Sequence, residues 1–313
     1  MVGNITLLSL VGEQAAPILL PIYELQPARV VLAATSKTSG VSERLERFLK
    51  QHRFNASTVY IDPYDPKLAY DALKEKVGGR HGVGSGAQLV GNFSGGTKTM
   101  AMALQLFLRD FQESQLCYLQ SDGSANLLYF FDPKSLEPIG GPQNVKRNID
   151  IKEHLDVYWG TGAYKISGPG KKNDAGYVFE REVAEAIKPC VDEIKSGVER
   201  PEHGVQIDIV LRCGNRIGIA ELKTGKKAGS MEGIKQLSTF GTVRSIGTYV
   251  KKFLIIDRTL QEDDLRALAD TLDITLIELA DASNGYLNEE HRVQLIDAVV
   301  KTFGCERGPS CSS

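Results

Sequence analysis

The 313-residue chain predicts an α/β protein in two parts, a doubly wound parallel sheet followed by a second α/β unit built on a β-hairpin. Three features predict this. Through about residue 131, near-continuous apolar runs alternate with amphipathic ones, as in strands covered on both faces by crossover helices. The stretch 132–173 is rich in Pro and Gly, including Gly140-Gly141-Pro142 and Gly168-Pro169-Gly170, as linkers are. Two β-branched runs then flank Gly214-Asn215, a pair suited to a two-residue hairpin turn.

In the first part, Ile5 to Val11 reads as a strand, Pro17 to Leu25 as a helix and Arg29 to Thr35 as a second strand. Ser39 to His52 is an amphipathic helix with Val41, Leu45, Phe48 and Leu49 on its apolar stripe. A third strand (Ser57 to Asp62), a helix (Lys67 to Val77), a loop (Gly78 to Gly86), a fourth strand (Gln88 to Phe93) and a helix (Thr97 to Phe111) follow. Leu116 to Gln120 and Leu127 to Phe131 pair around Asp122-Gly123.

Ligands of such sheets bind beyond the carboxyl ends of the strands. Three of these ends carry small polar residues: Gly12 and Gln14, then Thr35-Ser36-Lys37, then Ser94-Gly95-Gly96-Thr97-Lys98. In the third, the Gly pair lets backbone N–H groups approach a ligand, the following helix N-terminus favours an anion, and Lys98 adds a positive charge. It is not a Walker A loop: Gly91 and Gly96 have the spacing, but Thr97 stands where the Lys belongs. Nor is Gly82-Val83-Gly84 a dinucleotide fingerprint, since it precedes a strand. The plain alternative for Ser94 to Lys98 is a tight turn with a Thr cap. Three polar ends in register favour a ligand cradle.

Within the linker, Ile149 to Trp159 is apolar enough to pack as a short element. His154 in it has a catalytic reading and a structural one, and the structural one is favoured. Tyr158 and Trp159 suit base stacking or, by preference, core packing.

In the second part, Tyr177 to about Ile194 is a helix with Phe179, Val183, Ile187, Val191 and Ile194 as its apolar stripe, and Glu180 at the stripe's edge. Val205 to Lys223 is the hairpin. Counting back from its turn, Asp208 faces Glu221 and Gln206 faces Lys223, all on one face. Ile207, Ile209 and Leu211 lie on the other, with Ala220 and Leu222. Facing carboxylates repel, and a divalent cation relieves this, because Mg²⁺ and Mn²⁺ prefer carboxylate and water ligands. The alternative is a solvated charged face. Ser230 to Phe240 reads as a helix with Ile234, Leu237 and Phe240 inward, and with Lys235 and Gln236 near the site. Then come a strand (Phe253 to Asp257), a helix (Leu260 to Ala269), a strand (Ile274 to Leu279) and a helix (Glu289 to Phe303).

A net charge of −2 offers no global field for nucleic acid, leaving local pairs such as Lys171-Lys172, Lys226-Lys227 and Lys251-Lys252. No apolar run reaches the roughly 20 residues that span a bilayer. The N-terminus lacks a signal peptide's basic region and cleavage site. The five cysteines lack zinc spacing and read as free thiols in a reducing cytosol, so a cytoplasmic location is expected.

Asp208, twelve intervening residues and Glu221-Leu222-Lys223 resemble the core of the PD-(D/E)xK nucleases. The resemblance implies a restriction-endonuclease-like fold in which Glu180 matches the helical acid. Asp208, Glu221 and the Leu222 carbonyl would bind Mn²⁺ or Mg²⁺, and Lys223 would position the attacking water. Ile207 stands where the motif's Pro would be. The opening Leu8-Ser-Leu-Val-Gly-Glu-Gln14, Ala34-Thr35-Ser36 and Asn92-Phe-Ser-Gly-Gly-Thr-Lys-Thr-Met100 resemble CARF domains, the Rossmann-like sensors of CRISPR systems. Together they are similar to the CARF nucleases of type III CRISPR defence. That implies a sensor over 1–135, a hinge over 136–172, a nuclease over 173–304 and a disordered tail over 305–313. It further implies a homodimer that binds cyclic tetraadenylate through Gly12, Gln14, Thr35 to Lys37 and Ser94 to Lys98, and that then cleaves DNA or RNA. The alternatives are a ligand-responsive nucleic-acid-binding regulator without cleavage, and a ring nuclease that degrades the activator.

Overall fold

Strand β1 (Ile5–Leu10) is the middle one of the five parallel strands of the N-terminal sheet, and its residues after Ile5 are buried. The structure, a computed structural model, describes residues 4–78, 87–122, 125–169, 174–240, 246–247, 249–261, 263–282 and 284–304. The expected loop after Gly78, Gly123 of the hairpin turn, Lys171-Lys172 and the tail 305–313 lie outside the described residues.

The chain forms two compact units, 1–149 and 150–313. In the first, α1 (Ala16–Leu25), β2 (Arg29–Ala34), α2 (Ser39–Gln51), β3 (Ala56–Tyr60), α3 (Pro66–Lys76), β4 (Gln88–Asn92) and α4 (Lys98–Leu108) follow β1, as expected from the alternation. The antiparallel pair β5 (Ser114–Asp122) and β6 (Ala125–Phe131) comes next, with β7 (Gln143–Asn144) added at the edge. The sheet order is β3-β2-β1-β4-β5-β6-β7, and the first five strands are parallel. Alternation along β1 sends Leu8 and Leu10 into a cluster with Leu73, Met100, Leu104 and Phe107 of α3 and α4. Order reverses between β1 and β4, which makes that point the switch where such sheets bind ligands.

The second unit contains α5 (Ile151–Trp159), β8 (Lys165–Ile166), α6 (Ala175–Ile187), β9 (Glu193–Arg200), β10 (Val205–Cys213), β11 (Arg216–Lys223), α7 (Glu232–Phe240), β12 (Lys251–Ile256), α8 (Asp264–Thr271), β13 (Ile274–Glu278) and α9 (Glu289–Phe303). Its sheet runs β13-β12-β11-β10-β9-β8. Residues 136–172, expected as a hinge, thus carry β7, α5 and β8. Asp150 caps α5 through the Glu153 N–H, Tyr158 and Trp159 are buried in packing, and His154 is half-buried. Burial pushes the His154 imidazole down to about 4, and its Nε2 lies 2.7 Å from the Ile246 carbonyl. A neutral imidazole donating that bond has a structural role.

The helix expected to reach Ile194 ends at Ile187. Pro189 lacks an N–H and its ring opposes the carbonyl four residues back, so a 3₁₀ turn over Lys188–Cys190 follows. Val191 and Ile194 still pack on the same core, with Ile194 now in β9. The free-thiol expectation holds for Cys117, which is buried, but Cys190 and Cys213 are both disulfide-bonded. No helix of the described residues is long and apolar enough to cross a membrane.

Candidate functional site

The hairpin pairs Cys213 with Arg216 and continues through Ile209 opposite Ala220, the expected register. Gly214 has φ 61° and Asn215 is not among the positive-φ residues, the pattern of a type II′ turn. Ile207, Ile209, Leu211 and Ala220 are buried as one face. The other face carries the polar set into a pocket of about 300 Å³ lined by Gln206, Asp208, Glu221, Leu222, Lys223, Thr224, Lys227, Glu232 and Gln236.

Within it, the Leu222 N–H donates to Asp208 Oδ2 at 2.8 Å, and Lys223 Nζ donates to Glu221 Oε1 at 2.7 Å. Glu221 Oε2 and Gln236 Oε1 are buried with no hydrogen-bond partner among the described residues. Burial raises the Glu221 carboxyl to about 7; the Asp208 charge adds to this, and Lys223 opposes it. Burial also raises Asp208, against the Leu222 hydrogen bond and Lys223. Desolvation thus outweighs the ammonium at both carboxyls, and at Glu221 the like charge of Asp208 adds to it. Perturbed carboxyls in a cleft are a mark of functional sites.

Two supports are harder to see in the sequence. The buried Asp257, just past β12, accepts from the Gly225 N–H at 2.8 Å. That bond fixes the loop that brings Thr224 and Lys227 to the pocket. Glu232, the first residue of α7, lies 3.9 Å from Lys223 Nζ and from Lys227 Nζ. Glu180 is half-buried on α6 and is not among the lining residues. One turn earlier on its helix face, a Cβ on Gly176 would stand 3.7 Å from Thr224 Oγ1, so this face is turned toward the site's edge. Lys235 does not line the pocket, whereas Gln236 does.

In the first unit, the ends of β2, β1 and β4 are adjacent, which brings the three expected polar segments together. A Cβ on Gly95 would meet Leu10 O at 2.6 Å, and one on Gly12 would meet Gly96 N at 3.2 Å. The loop after β4 therefore lies directly on the loop after β1, and Gly96 has φ 76°. Several hydroxyls there serve the scaffold. Ser94 Oγ donates to Asn92 Oδ1 and accepts from the Leu119 N–H. Thr97 caps α4 through the Met100 N–H and donates to Pro63 O. Thr35 and Thr38 each accept the other's backbone N–H. Ser36, Lys37 and Lys98 are exposed, and Gln14 is half-buried. Asn92, at the end of β4, donates to Ser9 Oγ and Pro17 O and so ties β4 to β1 and α1. A second pocket, about 550 Å³, shares Ser94 to Lys98 and extends along α4 to Phe93, Gln105, Phe131 and Leu136. It does not reach Gly12, Gln14 or Thr35 to Lys37.

No family model matches the sequence, and no curated protein matches it. Among solved structures, Can2 from Sulfobacillus thermosulfidooxidans in complex with cyclic tetra-adenylate superposes with TM-score 0.66 at 14% identity, covering 96% of this chain and 97% of its own. Protein VC1899 from Vibrio cholerae gives 0.68 at 12% identity, covering 97% and 100%. A type III CRISPR defence DNA nuclease activated by cyclic oligoadenylate gives 0.54 at 15% identity over 94% of this chain, which spans 52% of that nuclease. The chain shares with these proteins a mixed α/β fold of two multistranded sheets.

Proposed function

We propose that the chain is a cyclic-oligoadenylate-activated, metal-dependent nuclease of type III CRISPR defence that works as a homodimer. The observation that carries the catalytic half is the hairpin face, where Asp208, Glu221 and Lys223 converge in one pocket with both carboxyls pushed upward. Among the described residues no group of three or more His, Cys, Asp or Glu is placed to hold a metal. Two carboxylates, the Leu222 carbonyl and water are nonetheless a donor set that suits Mg²⁺ or Mn²⁺, which keep several waters. The unpartnered, buried Glu221 Oε2 fits the same cation. A bound divalent cation supplies a water of lowered pKa and polarises the scissile phosphate.

The chain's own groups do the rest. Asp208 is held in place by the Leu222 N–H. The Lys223 ammonium stands ready to orient the attacking water or to offset charge on the phosphate. Gln206 and Gln236 line the wall, and Glu180 on α6 is the further acid of the reading.

The sensor half rests on the three adjacent strand ends. Lys98, beside the α4 N-terminus and the Gly95-Gly96 pair, suits a phosphodiester ring, and Lys37 and Ser36 offer further exposed donors. The activator class comes from the Can2 complex. A symmetric ring suits an interface on which each protomer presents the same loops. Lys98→Ala is expected to weaken cyclic tetraadenylate binding about 10- to 100-fold, the worth of one charge-assisted contact, as read by calorimetry.

The test uses purified protein, Mn²⁺, a supercoiled plasmid and a single-stranded RNA, with and without cyclic tetraadenylate. Cleavage only with the activator supports both halves and identifies the substrate. Activator-independent cleavage removes the coupling. Activator binding without cleavage turns the reading toward a nucleic-acid-binding regulator.

A further inference from the structure

Lys223 has a second anion within reach. The Lys223 side chain is 10% exposed and its ammonium sits on Glu221 Oε1 at 2.7 Å. That oxygen belongs to the carboxylate proposed to hold the cation. An ammonium and a divalent cation compete for the same charge, and a buried ammonium left without an anion is costly. The ammonium therefore needs another acceptor when the cation binds. Glu232 Oε1 is 3.9 Å from Nζ and its side chain reaches out to solvent, so its carboxylate keeps much of its hydration there.

A separate feature holds it there. A Cβ on Gly233 would lie 2.6 Å from Leu254 Cδ1 and 3.4 Å from Lys223 Cγ. The absence of a side chain at 233 thus lets the first turn of α7 lie on the Lys223 stem, with Glu232 beside the ammonium. Glu232 also opens α7, where the helix N-terminus favours a carboxylate.

We propose that Glu232 is a positioning residue that takes over the Lys223 ammonium when a divalent cation occupies Glu221. In the metal-free protein the ammonium guards Glu221. In the loaded protein it swings to Glu232, stays beside the site and leaves the Glu221 oxygens to the cation. This rests on the proposed metal-dependent reading of the pocket.

The test is a double-mutant cycle on the full chain, with Mn²⁺ binding measured by calorimetry and by the electron paramagnetic resonance signal of free Mn²⁺. Glu232→Gln is expected to weaken Mn²⁺ binding about tenfold, in the range that coupled neighbours show in such cycles. Glu232→Asp, which keeps the charge, should restore most of it. In a Lys223→Met background, Glu232→Gln should have no effect, because no ammonium remains to be moved. Unchanged affinity in Glu232→Gln overturns the proposal. So does an equal loss with and without Lys223, which would make Glu232 a ligand in its own right. A native chain that binds no Mn²⁺ at all removes the metal reading together with this one, whereas Mn²⁺ bound with unaltered affinity in Glu232→Gln removes this one alone.

Discussion

Asp208→Asn is expected to abolish nucleic-acid cleavage and, at the same time, to stabilise the metal-free protein at alkaline pH. The catalytic loss should be at least about a thousandfold, since several kcal/mol of transition-state stabilisation leave with the cation. The stability gain follows from the raised carboxyls. The Glu221 carboxyl stands at about 7 in the folded chain against an ordinary 4.5. Between those values the folded state holds a proton that the unfolded state has released, so stability falls as pH rises from about 4.5 to 7. The Asp208 charge is one cause of that rise, second to burial. Asparagine keeps an oxygen for the Leu222 N–H and removes the charge. At pH 8 the variant should gain about 1 kcal/mol, or roughly 2–4 °C in Tm for a unit of this size. At pH 4.5 the gain should vanish. Thermal scans of the metal-free protein at both pH values check this. A Tm that falls at pH 8 would mean that the two carboxylates do not oppose each other.

Gly95→Ala is expected to cost the N-terminal unit about 1–3 kcal/mol, the range of overpacking in a filled interior, and to remove the response to cyclic oligoadenylate. The new methyl would stand 2.6 Å from Leu10 O. That oxygen is main chain at the end of the central strand and has no rotamer with which to retreat. The loops after β1 and β4 must then separate, and the cradle between them spreads. Activator-dependent cleavage should fall more than about tenfold, while Mn²⁺ binding by the second unit stays near that of the native chain; a tenfold loss corresponds to about 1.4 kcal/mol. Calorimetry with each ligand separates the two effects. Normal activator binding in a variant of native stability would show that the loops yield freely.

How much of this could be read in advance depended on whether local pattern and tertiary demand agreed. Strands β1, β2 and β4 are near-continuous apolar runs separated by helices, so both their existence and their parallel pairing were legible. The hairpin register followed from one turn, because the side-chain period of two puts Asp208, Glu221 and Lys223 on one face once Gly214-Asn215 is placed. The α6 boundary was misread because Val191 and Ile194 continue the apolar period and enter the same core, although Pro189 ends the helix. Strand β9 escaped because Glu193, Lys195, Ser196, Gly197 and Glu199 give it little apolar signal. Its pairing with β10 comes from the sheet, with Ile207 opposite Val198 and Ile209 opposite Ser196. Helix α5 was legible as a short apolar element over Ile149 to Trp159 inside the Pro- and Gly-rich stretch, and the Asp150–Glu153 capping box there is the sign that it is a helix. The disulfide state of Cys190 and Cys213 had no local signature at all. At the site, Asp257 and Glu232 act through contacts 32 residues apart with Gly225 and across a helix start with Lys223, which no spacing rule reports.

The measurement closest to the central claim is anomalous diffraction from crystals of the full chain soaked in Mn²⁺. A peak is expected on the hairpin face, about 2.0–2.2 Å from an oxygen of Asp208 and one of Glu221, the distance of small hard cations to carboxylate. The Lys223 ammonium is expected to have left Glu221. Well-ordered carboxylates with no peak between them, and Lys223 still bound to Glu221 at a Mn²⁺ concentration that supports cleavage, would contradict the central claim.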